Sequence, residues 1–496
     1  MSVLTKRRGE YKEREGKPEA EPKENHGVKD QTGVHDAGNK SEEHYRKNLP
    51  PWRFNLRQKF LPIVRWETEV LASMQKKVRT PWLDYYFAWS ANLASHTFYV
   101  LCLPMFEWFG SSKIPRDLVY VLGLGIYVLG NLKDCMCLPR PRSPPLHRIT
   151  MSEYTAQEYG FPSSHSANAT AVTLICLWRL LEVKEQLTSS VLVCTLAFLI
   201  LYYVSLIFGR LYCGMHGFID VFAGTAIGVG LFLFRFLVGQ KFDQWLLVPQ
   251  DSSWWGLVLT PIFIIGGNLL LIHTHFEPVD DCPCFDDTVA FVGVLIGLDL
   301  SHWVACITGV VGRTNNFEDP MRINYDYNEL GSLKTIARVI VGVTLIVTWK
   351  AIAKPIVFTL LPPIYKFVGV YVPRRSFKST AFTKESLSRI RSQSISNIDV
   401  QQVGDINGLI KLVTSTQNSI DSVGPVNDID YYEMLDYKNK HPEEPDSAID
   451  MGPPTNSVFK PRYDVETVGR LIIYAGVATC TFWGFFYATQ SLGLAC

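Results

Sequence analysis

The sequence predicts an all-α, polytopic transmembrane helix bundle of eight or nine spans. Its apolar residues are gathered into runs close to the ~20 residues that a helix needs to cross a bilayer. Its charges crowd into the first fifty positions and into a stretch before the last apolar run. The mean hydropathy of +0.08 therefore averages one very apolar part with two very polar ones. A net charge of +1 and the lack of any basic tract exclude nucleic acid as a partner.

The elements follow in order. Residues 1–50 are rich in Lys, Glu, Asn and Gly and almost lack large apolar side chains, which predicts a disordered tail. No apolar stretch opens the chain, so no cleavable signal peptide is expected. Residues 51–83 repeat apolar residues at helical spacing but are too charged to cross, which predicts an amphipathic helix at the membrane interface.

Spans are then expected at 85–109, 118–136, 167–181, 190–208 and 218–238, with Gly224, Gly228 and Gly230 offering a small-residue packing face on the last. Further spans are expected at 254–272 and 288–311, on either side of an acidic loop. In that loop Cys282 and Cys284 read as incidental thiols, a disulfide or a weak metal site. Residues 336–372 suit one tilted span or a hairpin, because lysines and the Pro362-Pro363 pair interrupt them. A last span covers 467–496. Between them 373–466 is a disordered Ser/Asp-rich loop, whose Ser376, Ser388, Ser392 and Ser394 stand near arginines as a kinase would require.

Three clusters place polar residues at helix ends: Lys133 with Arg140-Pro141, Pro162 to His165, and Arg210 with His216 and Asp220. Two spans separate the second cluster from the third, so all three emerge on one membrane face. His216 and Asp220 are four residues apart where a helix begins, so a carboxylate can hold one ring nitrogen and leave the other nucleophilic. Ser163 and Ser164 precede an apolar helix, where free N–H groups favour an anion.

Lys133, Arg140 and Arg210 add positive charge for a phosphate, and His165 remains to protonate a leaving group. Singly, each cation reads more readily as a topology-setting charge, and each histidine as a satisfied polar residue. Their coincidence on one face points to phosphoryl transfer. Zinc on His165, His216 and Asp220 competes, against the surrounding cations. Asp299 and His302, inside a span, would serve a transporter or merely pack helices.

At these residues the chain resembles the type 2 phosphatidic acid phosphatase (PAP2) superfamily, whose pattern is K-x6-R-P, P-S-G-H and S-R-x5-H-x3-D. Ser164 replaces the glycine of the second motif and Gly209 the serine of the third. Within it, 140–145, 158–165 and 212–216 are similar to sphingosine and dihydrosphingosine 1-phosphate phosphatases, in particular fungal ones.

The resemblance implies a six-helix catalytic core over 84–272, extra helices over 273–372, and a phosphohistidine on His216 assisted by Asp220. It also implies leaving-group protonation by His165, with phosphate held by Lys133, Arg140, Ser163, Ser164 and Arg210. No metal or cofactor is implied. Its partners are bilayer lipids and a membrane-embedded lipid phosphate, in the endoplasmic reticulum membrane with the site facing the lumen. A broader lipid phosphate or a sugar phosphate is the alternative substrate.

Overall fold

The computed structural model describes residues 37–151, 158–247, 254–280, 282–309, 323–368 and 462–495. Every regular element among them is helical. The four serines proposed for a kinase, and most of both polar segments, lie outside the described residues.

Residues 37–50 correct the expected tail. Ser41 caps a short helix, α1 (Glu42–Asn48), and Ala37, Tyr45 and Leu49 are buried. One carboxylate anchors them. Asp280 Oδ2 accepts from the Gly38 N–H at 2.9 Å and the Tyr45 O–H at 2.6 Å, and Oδ1 lies 3.1 Å from Lys40 Nζ. A polar anchor thus stands in for the apolar residues whose scarcity predicts disorder.

The helix expected at 51–83 is α2 (Pro51–Val78), but its inner face is not apolar. Arg53, Arg57, Glu67, Thr68 and Gln75 are buried beside Val64 and Leu71, while Trp52, Ile63 and Trp66 point outward. The polar side chains serve loop backbone. Arg53 and Arg57 donate to carbonyls of Asp134, Cys135 and Cys137, where a helix end leaves acceptors unpaired. Gln75 donates to the carbonyls of His147 and Tyr212.

The stretch 85–109 is not one span. It divides into α3 (Pro81–Ser90) and α4 (His96–Trp108) around a 3-10 turn, Ala91–Ala94. Ser95 starts the second helix by accepting from the Phe98 N–H at 3.2 Å, a local bond that competes with helix continuation.

There follow α5 (Lys113–Met136), α6 (Ser164–Glu182), α7 (Ser189–Tyr212) and α8 (Phe218–Phe234). A π turn, Arg235–Gly239, leads into α9 (Gln240–Leu247). Beyond are α10 (Trp254–Thr274), α11 (Cys284–Thr308) and α12 (Tyr327–Val368). The last run is α13 (Val465–Thr479), a π turn and α14 (Phe485–Ser491).

Seven runs among the described residues are long and apolar enough to cross a membrane: α5, α7, α8–α9, α10, α11, α12 and α13–α14. With α4 and α6 they make up the expected bundle. Helix α6 is more polar because it is enclosed by α5, α7 and α8, where Ser166, Asn168 and Thr170 are buried in protein. Within residues 327–368 Gly331 (φ 68°) is not helical and separates a short first turn from a helix that runs on to Val368 without reversing, which decides against a hairpin there.

Helix α8 crosses α6 at close range. A Cβ on Gly224 or Gly228 would collide with the carbonyl of Ser163 or Ala167, whereas Gly230 faces open space and takes no part.

The end of the bundle where α5 begins holds a buried charge network. Arg116 donates to Asp299 (2.9 Å) and Asp243 (2.9 Å) and lies 3.0 Å from His302 Nδ1, and Tyr120 donates to Asp299. Asp117 accepts from Arg179 and Arg235. Asp299 and His302 therefore join helices to one another. An apolar cavity of about 230 Å³ between α5, α8–α9, α10 and α11 adjoins this network, around Tyr120 and Arg235. It lies at the far end of α5 from Lys133.

Candidate active site

At the other end of α5, Lys133 sits in the last turn, and the chain leaves through Cys137 in the left-handed region (φ 48°) toward Arg140. The three clusters do converge here, as the count of spans requires. Lys133 Nζ donates to Ser164 Oγ at 2.6 Å, and Arg140 Nη1 lies 3.1 Å from His216 Nε2. Arg140 also donates to the carbonyls of Met215 (2.8 Å) and Glu158 (3.0 Å).

His216 belongs to the short link between α7 and α8, which Gly214 turns with a φ of 63°. Its Nδ1 is 2.8 Å from the Gly160 carbonyl. A carbonyl only accepts, so Nδ1 carries the proton and Nε2 keeps a lone pair. That lone pair faces Arg140.

Here the structure corrects the role given to Asp220. Its Oδ2 is 3.6 Å from His216 Nδ1 and accepts instead from the Gly217 N–H at 2.8 Å, closing the first turn of α8. Asp220 contributes charge near the ring, and Gly160 sets the tautomer. His216 is 2 % exposed. Burial, then the charges of Arg140, Lys133 and Arg210 and neighbouring His165, hold its pKa well below the ordinary imidazole value.

Ser163 is the second correction. Its hydroxyl caps α6, accepting from the Ser166 N–H (3.3 Å) and O–H (3.0 Å), and its own N–H is donated to the Asp220 carbonyl at 3.0 Å. The hydroxyl oxygen is committed to that cap and the N–H to Asp220, which leaves only the hydroxyl proton of a fully buried side chain for phosphate. The N–H groups of Ser164 and His165, which precede the capped Ser166 N–H in the same first turn, have no acceptor among the described residues. Ser163→Ala should therefore cost about 1 kcal/mol of stability as a lost cap. Thermal unfolding in detergent should show this, while KM changes less than twofold; a tenfold rise in KM would restore Ser163 as a phosphate ligand.

Arg210, in the last turn of α7, is buried, and no hydrogen bond reaches its guanidinium from the described residues. Its charge, with those of Lys133 and Arg140, bears on His165, whose ring likewise has no hydrogen bond among those residues. Arg140, in the loop, has its pKa pushed down to about 10 by burial.

Two site residues escaped the sequence analysis. Glu158 pairs with Lys133 and lies 3.8 Å from Arg140 Nη2. Burial opposes its ionisation, but Lys133 and Arg140 prevail and hold its pKa below the ordinary carboxylate value. It stands in the stretch quoted as subgroup-like, which is the signal that could have found it. Glu67 of α2 accepts from the Ile219 N–H at 2.9 Å and so caps α8 from outside, while a Cβ on Gly217 would collide with its Oε2. No sequence signal joins residues 152 positions apart.

His165, His216 and Asp220 do not bring three ligand atoms within 4.8 Å of one another. The group close enough to hold a metal among the described residues is Asp134, Cys282 and Cys284, and its two sulfurs are joined in a disulfide.

The sequence profile of the PAP2 superfamily matches residues 115–244, which contain Lys133, Arg140, His165, Arg210, His216 and Asp220. A dihydrosphingosine 1-phosphate phosphatase of Saccharomyces cerevisiae is 41% identical over 336 residues, covering 67% of this chain and 78% of the relative. A dihydrosphingosine 1-phosphate phosphatase of Schizosaccharomyces pombe is 34% identical over 436 residues, covering 87% and 89%. Human sphingosine-1-phosphate phosphatase 2 is 28% identical over 236 residues, covering 47% and 55%. No solved structure matches the chain. Two relatives aligned along most of their length, with a profile that falls on the residues converging around His216, show that this chain belongs to the PAP2 superfamily and is a membrane phosphatase.

Proposed function

We propose that the chain hydrolyses long-chain sphingoid base 1-phosphates to the free base and inorganic phosphate through a phosphohistidine on His216. The observation that carries this reading is the Nδ1–H bond to Gly160, which leaves Nε2 unprotonated among three cations. Phosphate oxygens are held by Lys133, Arg140 and Arg210, by the Ser164 hydroxyl and by the free N–H groups opening α6.

Nε2 attacks phosphorus as the phosphorus–alkoxide bond breaks, and His165 gives its proton to the departing alkoxide. A water then attacks the phosphohistidine, His165 takes that water's proton, and His216 leaves as neutral imidazole. Asp220, 3.6 Å from the ring, offsets the positive charge that the phosphorylated ring develops.

The lipid enters sideways from the bilayer. Placement in the endoplasmic reticulum membrane with the site facing the lumen is supported by the resemblance to sphingoid-base phosphate phosphatases. A kinase acting on Ser376, Ser392 or Ser394 remains part of this proposal.

The test is a purified sample given sphingoid-base phosphate, phosphatidate and glucose 6-phosphate in turn, with a chelator present. The sphingoid phosphate should be hydrolysed fastest, and the chelator should not change its rate. Faster hydrolysis of the sugar phosphate would overturn the substrate, and loss of activity with chelator would overturn the metal-free mechanism.

A further inference from the structure

Glu158 poses a physical question. A site that gathers cations for a phosphate has a carboxylate in their midst, where it repels the very group they attract. The residue is held in place from several sides. Its carbonyl accepts from Arg140, the next residue's ring is buried with its hydroxyl accepting from the Asp280 N–H, and Gly160 holds both His216 and the Leu138 carbonyl. Its side chain is 14% exposed, more than that of Lys133 or Arg140 at 3% each, so the carboxylate lies on the accessible side of the cations.

The charges suggest what it is for. Lys133 and Arg140 are the partners of the Glu158 carboxylate in the resting site. A phosphate monoester dianion that claims these two cations leaves that carboxylate without its partners. The same dianion with a protonated amine beside it supplies a new one. Uncompensated charge is costly where water is scarce.

We propose that Glu158 is a specificity-determining residue, whose carboxylate receives the protonated amine that a sphingoid base 1-phosphate carries beside its phosphoester carbon. This rests on the function proposed above. On binding, the phosphate takes Lys133 and Arg140 from Glu158, and the substrate's own ammonium replaces them. One set of ion pairs is exchanged for another. An N-acylated or amine-free phosphate breaks the same pairs and offers nothing in return.

The experiment compares kcat/KM of the full-length protein and of Glu158→Gln on dihydrosphingosine 1-phosphate, on its N-acylated counterpart and on phosphatidate. The variant should lose about 30-fold or more on the free amine, as loss of one member of an enclosed charge pair does, and should be unchanged or faster on the other two. A proportional loss on all three would mean that Glu158 only seats Lys133, and the proposal would fall. So would a variant that keeps the parent's preference, or one that cannot be purified folded.

A second measurement needs no variant. Phosphoethanolamine should inhibit the parent protein more strongly than ethyl phosphate, and equal inhibition overturns the proposal. A parent that shows no preference for the free-amine lipid refutes the proposed substrate itself, so the two failures are distinguishable.

Discussion

His216→Ala should lower turnover by about 10⁴-fold or more, because no neighbouring group can take over the covalent step. The parent protein, quenched in base during turnover of a ³²P-labelled substrate, should carry acid-labile label, and the variant none. Label that persists in the variant would place the nucleophile elsewhere. The same residue sets the acid limb of the pH profile.

Attack requires neutral imidazole. Burial and the cations Arg140, Lys133 and Arg210 depress the His216 pKa, so the neutral form persists to lower pH. The acid limb of kcat/KM should then fall below the ordinary histidine value of about 6.5. Removing one of those cations should move that limb upward. A limb that stays put in Arg140→Gln would separate the titration from His216.

Arg210→Met should act on stability and activity in opposite directions. The guanidinium is buried, and its Nε has no hydrogen-bond partner among the described residues. Burying a cation without compensation is destabilising, and a methionine of similar length removes that cost. Thermal stability in detergent should rise by about 1 kcal/mol or more. Activity should fall by about 10²- to 10³-fold, as when one preorganised donor is removed from a charged transition state.

Arg210→Lys keeps the charge but loses the two-pronged grip, so it should recover only part of the rate. Lys133 makes the contrast. It is already paired with Glu158 and Ser164, so its removal should not stabilise the protein. If Arg210→Met destabilised the protein, the guanidinium would be shown to have a structural partner in the resting state.

Such a trade of stability for affinity is what a preformed anion site entails. The protein holds its positive charge in place before phosphate arrives, so little rearrangement is needed during the reaction. Glu158 relieves part of that strain at Lys133 and Arg140, and Arg210 is left to the ligand.

The hydropathy runs and three short motifs were enough to predict the helical bundle and to single out Lys133, Arg140, His165, Arg210, His216 and Asp220 as candidates, which the packed helices gather at one end. Those signals are local, because a span announces itself by its own composition, and a catalytic side chain by its type at a helix end. The tertiary structure alone decided which group orients His216, since a backbone carbonyl such as that of Gly160 has no identity in a sequence. It alone showed Ser163 spent on a helix cap, Glu158 among the cations, and the polar face of α2 turned inward to hold loop backbone with Arg53, Arg57, Glu67 and Gln75. Each of these depends on a partner distant in the chain or on a backbone group, and pairing of that kind exists only once the helices have packed.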